Sequence, residues 1–501
     1  MEKKNLAVIA SRLKCVDAIS VEAEKWIDKY VKLGYNVHLC AGKFGEPVTL
    51  PHLELPVMDY KHPEIRGVKR IVFSANLDKD GKKAAEILLN NLVKRIKGPL
   101  KEYLVKNSIQ VLSIEDALIS PKNLPLNMAL AEIVSDLGIP TISRYHYVPW
   151  ENPYFSRFDN FPKITATMPL QRRNVVHITN TESAKRQLAE KKVVSKVIPN
   201  TMDLDKLSRV DDYNRDFRQA FGIRDDQLIF LQPTRVKRNK FVERSVKLVA
   251  EINDIMKKDN VLLITGSPVY SRGNYFEEIV KKIKKMGVNV IFANDRIFLG
   301  RHQNPEQKFY SIHDAYIHSD FVIYPNTSDA FGNPVIEAVA YRKPLIVNRF
   351  PNLSEFEEKG FRFVVMDNKV TPEVISDAYE LISHKEKLDA AVENNFSLLK
   401  AHYSSNCLDD ALIPILNDFD QQKSFMSRFA GQVVELFPKR LWRKGDSGGA
   451  ARGAGRHDQK KKSFKGKGAK TDVGTRKPRD LRNRKGGYKE PDVQEEKRQG
   501  S

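Results

Sequence analysis

The sequence lacks any long apolar run, and its 501 residues include only three cysteines, Cys15, Cys40 and Cys407. A membrane-spanning helix needs roughly 20 apolar residues in a row, so we expect none. Three cysteines with no metal-ligand spacing do not support a disulfide framework or a metal site. The apolar stretch near the N-terminus is too short for a secretory signal. These absences predict a protein of the reducing cytoplasm.

The composition is that of a globular protein, with 41% hydrophobic and 29% charged residues. A chain of this length exceeds one compact core, so it predicts two or three domains. The net charge of +21 is unevenly distributed, because residues 439–501 contain 21 Lys+Arg against 8 Asp+Glu. The folded part is therefore only mildly basic.

The last segment, 439–501, is rich in Gly, Lys and Arg and poor in apolar residues. We expect it to be disordered, because it cannot bury enough surface to offset its ordering entropy. Its basic clusters at 460–462, 476–479 and 482–485 fit nucleic acid or an anionic membrane surface, although the composition favours a solvated appendage. The preceding 425–444 has an amphipathic pattern that fits either a membrane surface or packing on the protein.

The body alternates short β-branched runs with helical patterns, which is typical of parallel sheets covered by helices. Predicted strands are 5–11, 36–40, 109–114, 140–146, 175–180, 228–234, 260–267, 288–295, 321–326, 344–350 and 361–366. Predicted helices are 21–33, 83–106, 241–257, 275–286, 334–342 and 371–384. The pattern predicts an α/β fold of two doubly wound, Rossmann-like domains, 1–195 and 196–385, then a helical segment, 386–438. A cleft between the domains is the expected ligand site.

One stretch, YPNTSDAFGNPVIEA (324–338), carries the most specific chemical signal. It predicts a strand, a loop and a helix starting near Asn333, whose unpaired amides and positive dipole end suit a diphosphate. Gly332 permits close approach of the backbone to a ligand. The carboxylates of Asp329 and Glu337 can accept hydrogen bonds from sugar hydroxyls. The alternative interpretation of this pattern is a plain helix N-terminus whose acidic residues complement the helix dipole.

A basic loop supplies the other half of an anion site, in the stretch QPTRVKRNKF (232–241). Arg235 and Lys240 follow a predicted strand and precede a helix, where they can neutralise a departing diphosphate. A solvated basic loop is the alternative. Together the two loops predict a phosphate site.

These motifs resemble the donor domain of glycosyltransferase family 4, the retaining enzymes of the GT-B fold. The family's E-x7-E motif corresponds to Asp329 through Glu337. Its Arg and Lys, five apart, correspond to Arg235 and Lys240. The interdomain motif I-P-N-G-V-D resembles residues 198–203. The resemblance covers roughly 5–420.

A finer similarity is to a subgroup that includes mannosylglucosylglycerate synthase-like enzymes. It rests on SRYHYVPWE (143–151), on PNTMD (199–203) and on the stretch 324–338, whose loop is called the donor loop below. The chain departs from the family at three positions: Asp329 replaces a glutamate, Phe241 a glycine and Tyr147 an aspartate. The glycine pair that many members place near the acceptor is also missing.

The resemblance implies a role for each matching residue. Asp329 would bind the donor sugar and Glu337 the nucleotide ribose. The amides of Phe331, Gly332 and Asn333 would contact sugar and phosphate, and Arg235 and Lys240 the diphosphate. His146 would face the donor sugar across the cleft, although a histidine at a strand end is more often structural.

Candidate acceptor residues follow two strands of the first domain: Glu115 and Asp116 after one, Trp150 and Glu151 after the other. An aromatic ring with carboxylates suits a sugar, and a half-buried tryptophan with surface acids is the alternative. The expected reaction is hexose transfer from a GDP-mannose or UDP-glucose type donor to a sugar-containing or small hydroxylated acceptor. We expect no cofactor and no metal. The alternatives are a GT-B nucleotide-sugar epimerase or hydrolase, and a non-catalytic sugar- or nucleic-acid-binding protein.

Overall fold

In the computed structural model, the described residues up to Phe419 form one compact unit, and a second unit begins at Asp420. The structure describes residues 3–436 except 75–77, 152–160, 162–163, 165–166, 270–273 and 305. Side chains are described as far as residue 421, apart from that of Glu151. The predicted basic tail lies outside the described residues.

The first half folds around a parallel sheet with strand order β3-β2-β1-β4-β5-β6-β7. Its strands are β1 Asn5–Ile9, β2 Asn36–Ala41, β3 His52–Glu54, β4 Val111–Glu115, β5 Thr141–Tyr145, β6 Val175–Thr179 and β7 Ser195–Val197. Its helices are α1 Ala18–Lys32, α2 Pro63–Val72, α3 Lys79–Lys106, α4 Leu124–Leu137 and α5 Glu182–Glu190. Strands β4 and β5 are buried along their whole length, because helices cover both faces of the sheet.

The second half repeats this architecture with strand order β10-β9-β8-β14-β15-β16. The strands are β8 Ile229–Val236, β9 Val261–Pro268, β10 Asn289–Phe292, β14 Phe321–Tyr324, β15 Leu345–Asn348 and β16 Val364–Met366. A small sheet pairs β11 Ile297–Phe298 and β12 His302–Gln303 with β13 Lys308–Ser311. The helices are α6 Phe217–Ala220, α7 Val242–Met256, α8 Tyr275–Met286, α9 Ile312–His318, α10 Asn333–Ala340, α11 Ser354–Glu357 and α12 Pro372–Ser383.

The strand orders place a topological switch in each large sheet. Strand β1 lies between β2 and β4, and β8 lies between β9 and β14. Crossovers leave a crevice beyond the carboxyl ends of the strands at such a point. The loops after β1, β4, β8 and β14 are therefore the ones that the fold positions for binding.

The last helices, α13 Lys385–Tyr403 and α14 Ser405–Leu436, pack on different halves of the compact unit. Leu399 and Tyr403 of α13 belong to the core of the second sheet. Leu408 and Leu412 of α14 belong to the core of the first. At the break between the two helices, Met202 of the interdomain linker donates its amide to Tyr403 O at 2.7 Å. The chain therefore passes between the two halves at two neighbouring places, the linker near Met202 and the break between α13 and α14.

The predicted α/β class with two doubly wound sheets is confirmed. The domain limits at 195/196, 385/386 and 438/439 stay predictions. The predicted helical segment 386–438 is broken at Ser404. The small β11–β13 sheet was missed because its strands are too short to show a periodicity. No helix in the described part of the chain is long and apolar enough to cross a membrane.

Candidate active site

The loop between β14 and α10 has a backbone shape that requires glycine. Gly332 adopts φ 104°, in the left-handed region. A Cβ at this position would lie 2.9 Å from Cζ of the Phe350 ring. Pro334 stands in the first turn of α10, where a missing amide donor costs nothing. The helix N-terminus predicted near Asn333 is thus present, with a glycine-dependent turn leading into it.

Asp329 anchors this loop through three hydrogen bonds. Its Oδ1 accepts from the backbone amides of Phe331 at 3.1 Å and Gly332 at 2.7 Å. Its Oδ2 accepts from the hydroxyl of Tyr324. Two of the amides predicted to contact the donor are therefore bonded to Asp329. A carboxylate has about four acceptor positions, so capacity for one further hydrogen bond remains.

Glu337 lies on α10, where its Oε2 accepts a hydrogen bond of 2.8 Å from the hydroxyl of Tyr316. Burial raises the pKa of this carboxyl, and the Tyr316 hydrogen bond and the charge of Lys25 oppose the shift. Lys25 belongs to α1 of the first half. Glu337 therefore faces the region between the two halves, and its contact with a nucleotide ribose stays a prediction.

The loop after β8 brings its cations to the same region. Burial lowers the pKa of the Lys240 ammonium, and the carboxylate of Asp329 opposes this shift. The nearby charges of Lys237 and Arg235 lower it further. Arg235 is exposed. The structure therefore brings Lys240, with Arg235 nearby, close to Asp329, which lies about 90 residues further along the chain.

A strand irregularity sets the position of Arg235. The register of β8 against β9 shifts between Gln232 and Arg235, and Arg235 pairs with Gly266. A Cβ on Gly266 would lie 2.5 Å from the backbone nitrogen of Arg235, so only glycine fits there. Sequence reasoning missed Gly266, although a glycine inside a strand pattern is the usual signal of close backbone approach.

Asn333, the first residue of α10, connects the donor loop to the first half of the protein. Its Nδ2 donates to Glu22 Oε1 at 3.1 Å, and its Oδ1 accepts from Asn200 Nδ2 at 2.8 Å. Asn200 Oδ1 in turn accepts from Arg144 at 3.1 Å. This chain of polar contacts was not predicted. An arginine within the apolar strand pattern TISRY was the available signal, because arginine is rarely buried unless it is paired.

His146 lies at the far end of this polar chain. Its Nε2 is 2.9 Å from Glu115 Oε2, which also contacts the Arg144 guanidinium at 3.3 Å. Burial favours the neutral form of Glu115, but the charge of Arg144 and the hydrogen bonds from His146 and Arg144 more than offset it, and the pKa of Glu115 is lowered. His146 is therefore oriented by a buried carboxylate. His146 follows the end of β5, as the sequence predicted. Its contact with a donor sugar stays a prediction.

The acceptor-side candidates fall into two groups. Asp116 and Glu115 line a pocket beyond the ends of β1 and β4. Trp150 instead packs against the core of the first sheet, and Lys191 Nζ lies 5.8 Å from its ring centroid. The structure does not place Trp150 in this pocket, and the side chain of Glu151 lies outside the described residues.

Groups of three or more His, Cys, Asp or Glu side chains arranged to hold a metal are absent from the described residues. Lys240 interacts electrostatically with Asp329 of the donor loop, and Arg235 lies close to Lys240. Metal independence stays a prediction.

Comparison with known proteins shows which class of protein has this fold. Residues 214–397 match the family model of glycosyl transferases group 1. The chain resembles the crystal structure of Anabaena HepE in complex with UDP and glucose, with a TM-score of 0.58 and 12% identity over 83% of this chain and 100% of that one. The chain is a glycosyltransferase with the GT-B architecture, so the predicted enzyme class is confirmed.

Two relatives are similar along nearly their whole length. The mannosylglucosylglycerate synthase of Petrotoga mobilis is 25% identical over 462 residues, which cover 88% of this chain and 99% of that protein. The mannosylglucosylglycerate synthase of Thermotoga maritima is 23% identical over 446 residues, which cover 81% and 98%. The similarity therefore extends over both halves of the fold.

Proposed function

We propose that this enzyme is a retaining glycosyltransferase of the family 4 type. It transfers a hexose from a nucleotide-sugar of the UDP-glucose or GDP-mannose type to a sugar-containing or small hydroxylated acceptor. The observation that carries the proposal is the electrostatic interaction of Lys240, which has Arg235 nearby, with Asp329 of the loop that leads into α10. A diphosphate and a sugar are the ligands that two cations, a helix N-terminus and a carboxylate together suit.

Each residue then has a distinct part in the reaction. Arg235 and Lys240 hold the diphosphate, Asp329 uses its remaining acceptor capacity for a sugar hydroxyl, and Glu337 accepts from the ribose. His146, oriented by Glu115, faces the sugar from the first half. The leaving diphosphate gains negative charge as its bond to the anomeric carbon breaks, so fixed cations there act mainly in the transition state.

The reaction follows from this arrangement without a metal ion, so we expect activity to survive excess EDTA. Loss on chelation, restored by magnesium or manganese, would contradict this. We propose the cytoplasm as the location, because the three cysteines are free thiols. Contact of the basic tail with nucleic acid or an anionic membrane surface is a proposal resting on its charge alone.

Screening nucleotide-sugars for thermal stabilisation, followed by product analysis, tests this function. We expect one UDP- or GDP-hexose to raise the melting temperature by several degrees and to be hydrolysed slowly without acceptor. Donor converted to an isomeric nucleotide-sugar would identify an epimerase instead. A screen in which no nucleotide-sugar stabilises the protein would contradict the proposal.

A further inference from the structure

Four polar side chains form a closed ring that joins the two halves of the compact unit, called the polar ring below. Arg144 Nη2 donates to Asn200 Oδ1 at 3.1 Å, and Asn200 Nδ2 donates to Asn333 Oδ1 at 2.8 Å. Asn333 Nδ2 donates to Glu22 Oε1 at 3.1 Å, and Glu22 Oε2 lies 3.6 Å from Arg144 Nη2. Glu22 and Arg144 belong to α1 and β5 of the first half, and Asn333 to α10 of the second. The polar ring therefore reaches the helix that begins at the donor loop.

The direction of the hydrogen bonds in the polar ring is fixed by its two charged members. The Arg144 guanidinium can only donate, and the Glu22 carboxylate, whose Oε1 also pairs with Lys25 Nζ at 2.7 Å, only accepts. Each asparagine between them must therefore accept on the Arg144 side and donate on the Glu22 side. A change to one member leaves its neighbours without a partner, so the four side chains act as a unit.

Arg144 also contacts the carboxylate that orients His146. The sheet register pairs Glu115 of β4 with Arg144 of β5. Arg144 Nη1 donates to Glu115 Oε2 at 3.3 Å, and the same oxygen lies 2.9 Å from His146 Nε2. The guanidinium carbon lies 4.5 Å from the ring centroid of Trp26, a cation–π contact that restricts its position. One guanidinium therefore connects His146 to the polar ring.

The charges of the polar ring are buried, with Arg144 0% and Glu22 1% exposed. A buried ion pair seldom stabilises a protein more than apolar side chains of the same volume would. Within the described part of the chain, Arg144 Nε and Glu22 Oε2 also have no hydrogen-bond partner. Apolar contacts would therefore join the halves equally well. What the polar ring adds is direction, because each of its contacts holds one group at a set distance and angle.

We propose that Arg144 is a positioning residue that sets the N-terminus of α10 against His146. Asn333 is the first residue of α10, so the polar ring holds the helix terminus at the donor loop relative to the first half. Through Glu115, the same guanidinium holds the imidazole that faces the donor sugar. The inference rests on the proposed transferase function and deepens it, since Arg144 acts through other residues and not on the substrate. A misplacement of about 1 Å between two reacting groups can lower a rate roughly 100-fold.

Turnover and diphosphate affinity together separate positioning from a structural role. Arg235 and Lys240 belong to the second half, so binding of a nucleoside diphosphate does not require the polar ring. Asn200→Ala breaks the polar ring and leaves the Arg144–Glu22 ion pair in place. We expect kcat for release of UDP from UDP-glucose, or of GDP from GDP-mannose, to fall about 10-fold or more. The Kd of UDP or GDP, measured by calorimetry, should change less than about 3-fold.

A control variant removes a different contact between the halves. The Glu355 carboxylate accepts from the amides of Glu182 and Ser183 at the start of α5. This contact involves neither His146 nor the polar ring. Glu355→Gln should therefore leave kcat nearly unchanged. Melting temperatures, measured in parallel, establish that each variant is folded at the assay temperature.

Arg144→Lys tests whether one guanidinium serves both sides of the site. The variant keeps the positive charge beside Glu22 and Glu115, so no buried carboxylate loses its counter-charge. A lysine has one nitrogen and cannot reproduce the fork that contacts Asn200 and Glu115 together. We expect kcat to fall about 10-fold or more with the diphosphate Kd nearly unchanged. Adding Asn200→Ala should lower kcat by less than the product of the two single effects, because both changes break the same polar ring.

Wild-type kcat in both Asn200→Ala and Arg144→Lys would overturn the inference. An equal loss of kcat in Glu355→Gln, or single effects that multiply in the double variant, would also overturn it. A diphosphate affinity that falls as much as kcat would show general damage to the donor site and no positioning. These outcomes require an active wild-type enzyme. A wild-type enzyme that turns over no nucleotide-sugar would instead overturn the proposed function, and this inference with it.

Discussion

At the residue scale, Asp329 anchors the donor loop through its hydrogen bonds to Tyr324, Phe331 and Gly332. Under the proposed function, its remaining acceptor capacity serves a hydroxyl of the donor sugar. The short aspartate side chain suits the anchoring, since its Oδ1 reaches amides only two and three residues further along the chain. Short acidic side chains make such local turns readily. An aspartate at this position therefore has a structural reason.

If Asp329 positions the sugar, Asp329→Ala should lower turnover by roughly 100-fold or more, because a substrate-orienting contact is lost. Affinity for the bare nucleoside diphosphate should change by less than about 3-fold, since that ligand carries no sugar. Steady-state kinetics and calorimetry measure the two effects. Asp329→Asn keeps the side-chain size and controls for loop packing. Wild-type turnover in the alanine variant would rule out this role.

Glu337 gives the site a pH dependence. Burial raises its pKa, so this carboxyl takes up a proton at a higher pH than an ordinary glutamate. If the ionised form accepts from the ribose, affinity for a nucleoside diphosphate should start to fall at that higher pH as acidity increases. Glu337→Gln should weaken binding at neutral pH and flatten this part of the profile. Identical profiles for wild type and variant would show that Glu337 does not contact the nucleotide.

At the element scale, two glycines shape the strand ends and loops that present the site. Gly332 permits the turn into α10, and Gly266 permits the bulge of β8 that carries Arg235. The backbone geometry at these two glycines sets the direction of the α10 N-terminus and the position of Arg235.

Gly332→Ala tests this argument. The left-handed backbone costs an alanine roughly 1–2 kcal/mol, and the contact with Phe350 adds to it, so the melting temperature and donor affinity should both fall. Gly67→Ala is the matched control, because Gly67 lies within α2 and an added Cβ there would meet open space. That change should stabilise the protein by about 0.5–1 kcal/mol. A Gly332→Ala protein as stable as wild type would contradict the account of the turn.

The sequence predicted the elements that carry strong patterns and missed those that depend on distant contacts. Buried parallel strands and amphipathic helices have their own periodicity, so both sheets and the donor loop could be predicted. The partners of the site could not, because Tyr316, Tyr324 and Asn200 meet their carboxylates and amides only after folding. The pocket beyond the ends of β1 and β4 was half predicted: Glu115 and Asp116 were found, and Arg12 and Lys122, which also line it, were not.

At the scale of the whole molecule, the two halves are connected through polar groups near the site. The amides of Glu182 and Ser183, at the start of α5, donate to the Glu355 carboxylate of α11 at 3.1 and 2.9 Å. The side-chain amide of Asn333 also donates a hydrogen bond across the halves, to the carboxylate of Glu22. A carboxylate at a helix N-terminus is a favourable contact, so these hydrogen bonds contribute to the association of the two halves.

The basic tail is expected to be independent of the catalytic body. Deleting residues 445–501 should leave turnover and melting temperature nearly unchanged, because this segment has few residues able to form a core. It should also abolish salt-sensitive retention on heparin. Comparing full-length and truncated protein in both assays measures this. A truncated chain that does not fold would contradict the expectation.

The most direct test of the central claim is calorimetric titration of UDP and GDP into Arg235→Met and Lys240→Met. Each variant removes one cation from the proposed diphosphate site and keeps most of the side-chain volume. Lys237→Met is the control, because Lys237 is an exposed lysine of the same loop with no assigned role. The account predicts that both site variants bind the preferred diphosphate about 10-fold or more weakly, while the control and the affinity for the phosphate-free nucleoside stay unchanged. Wild-type diphosphate affinity in both site variants would contradict it.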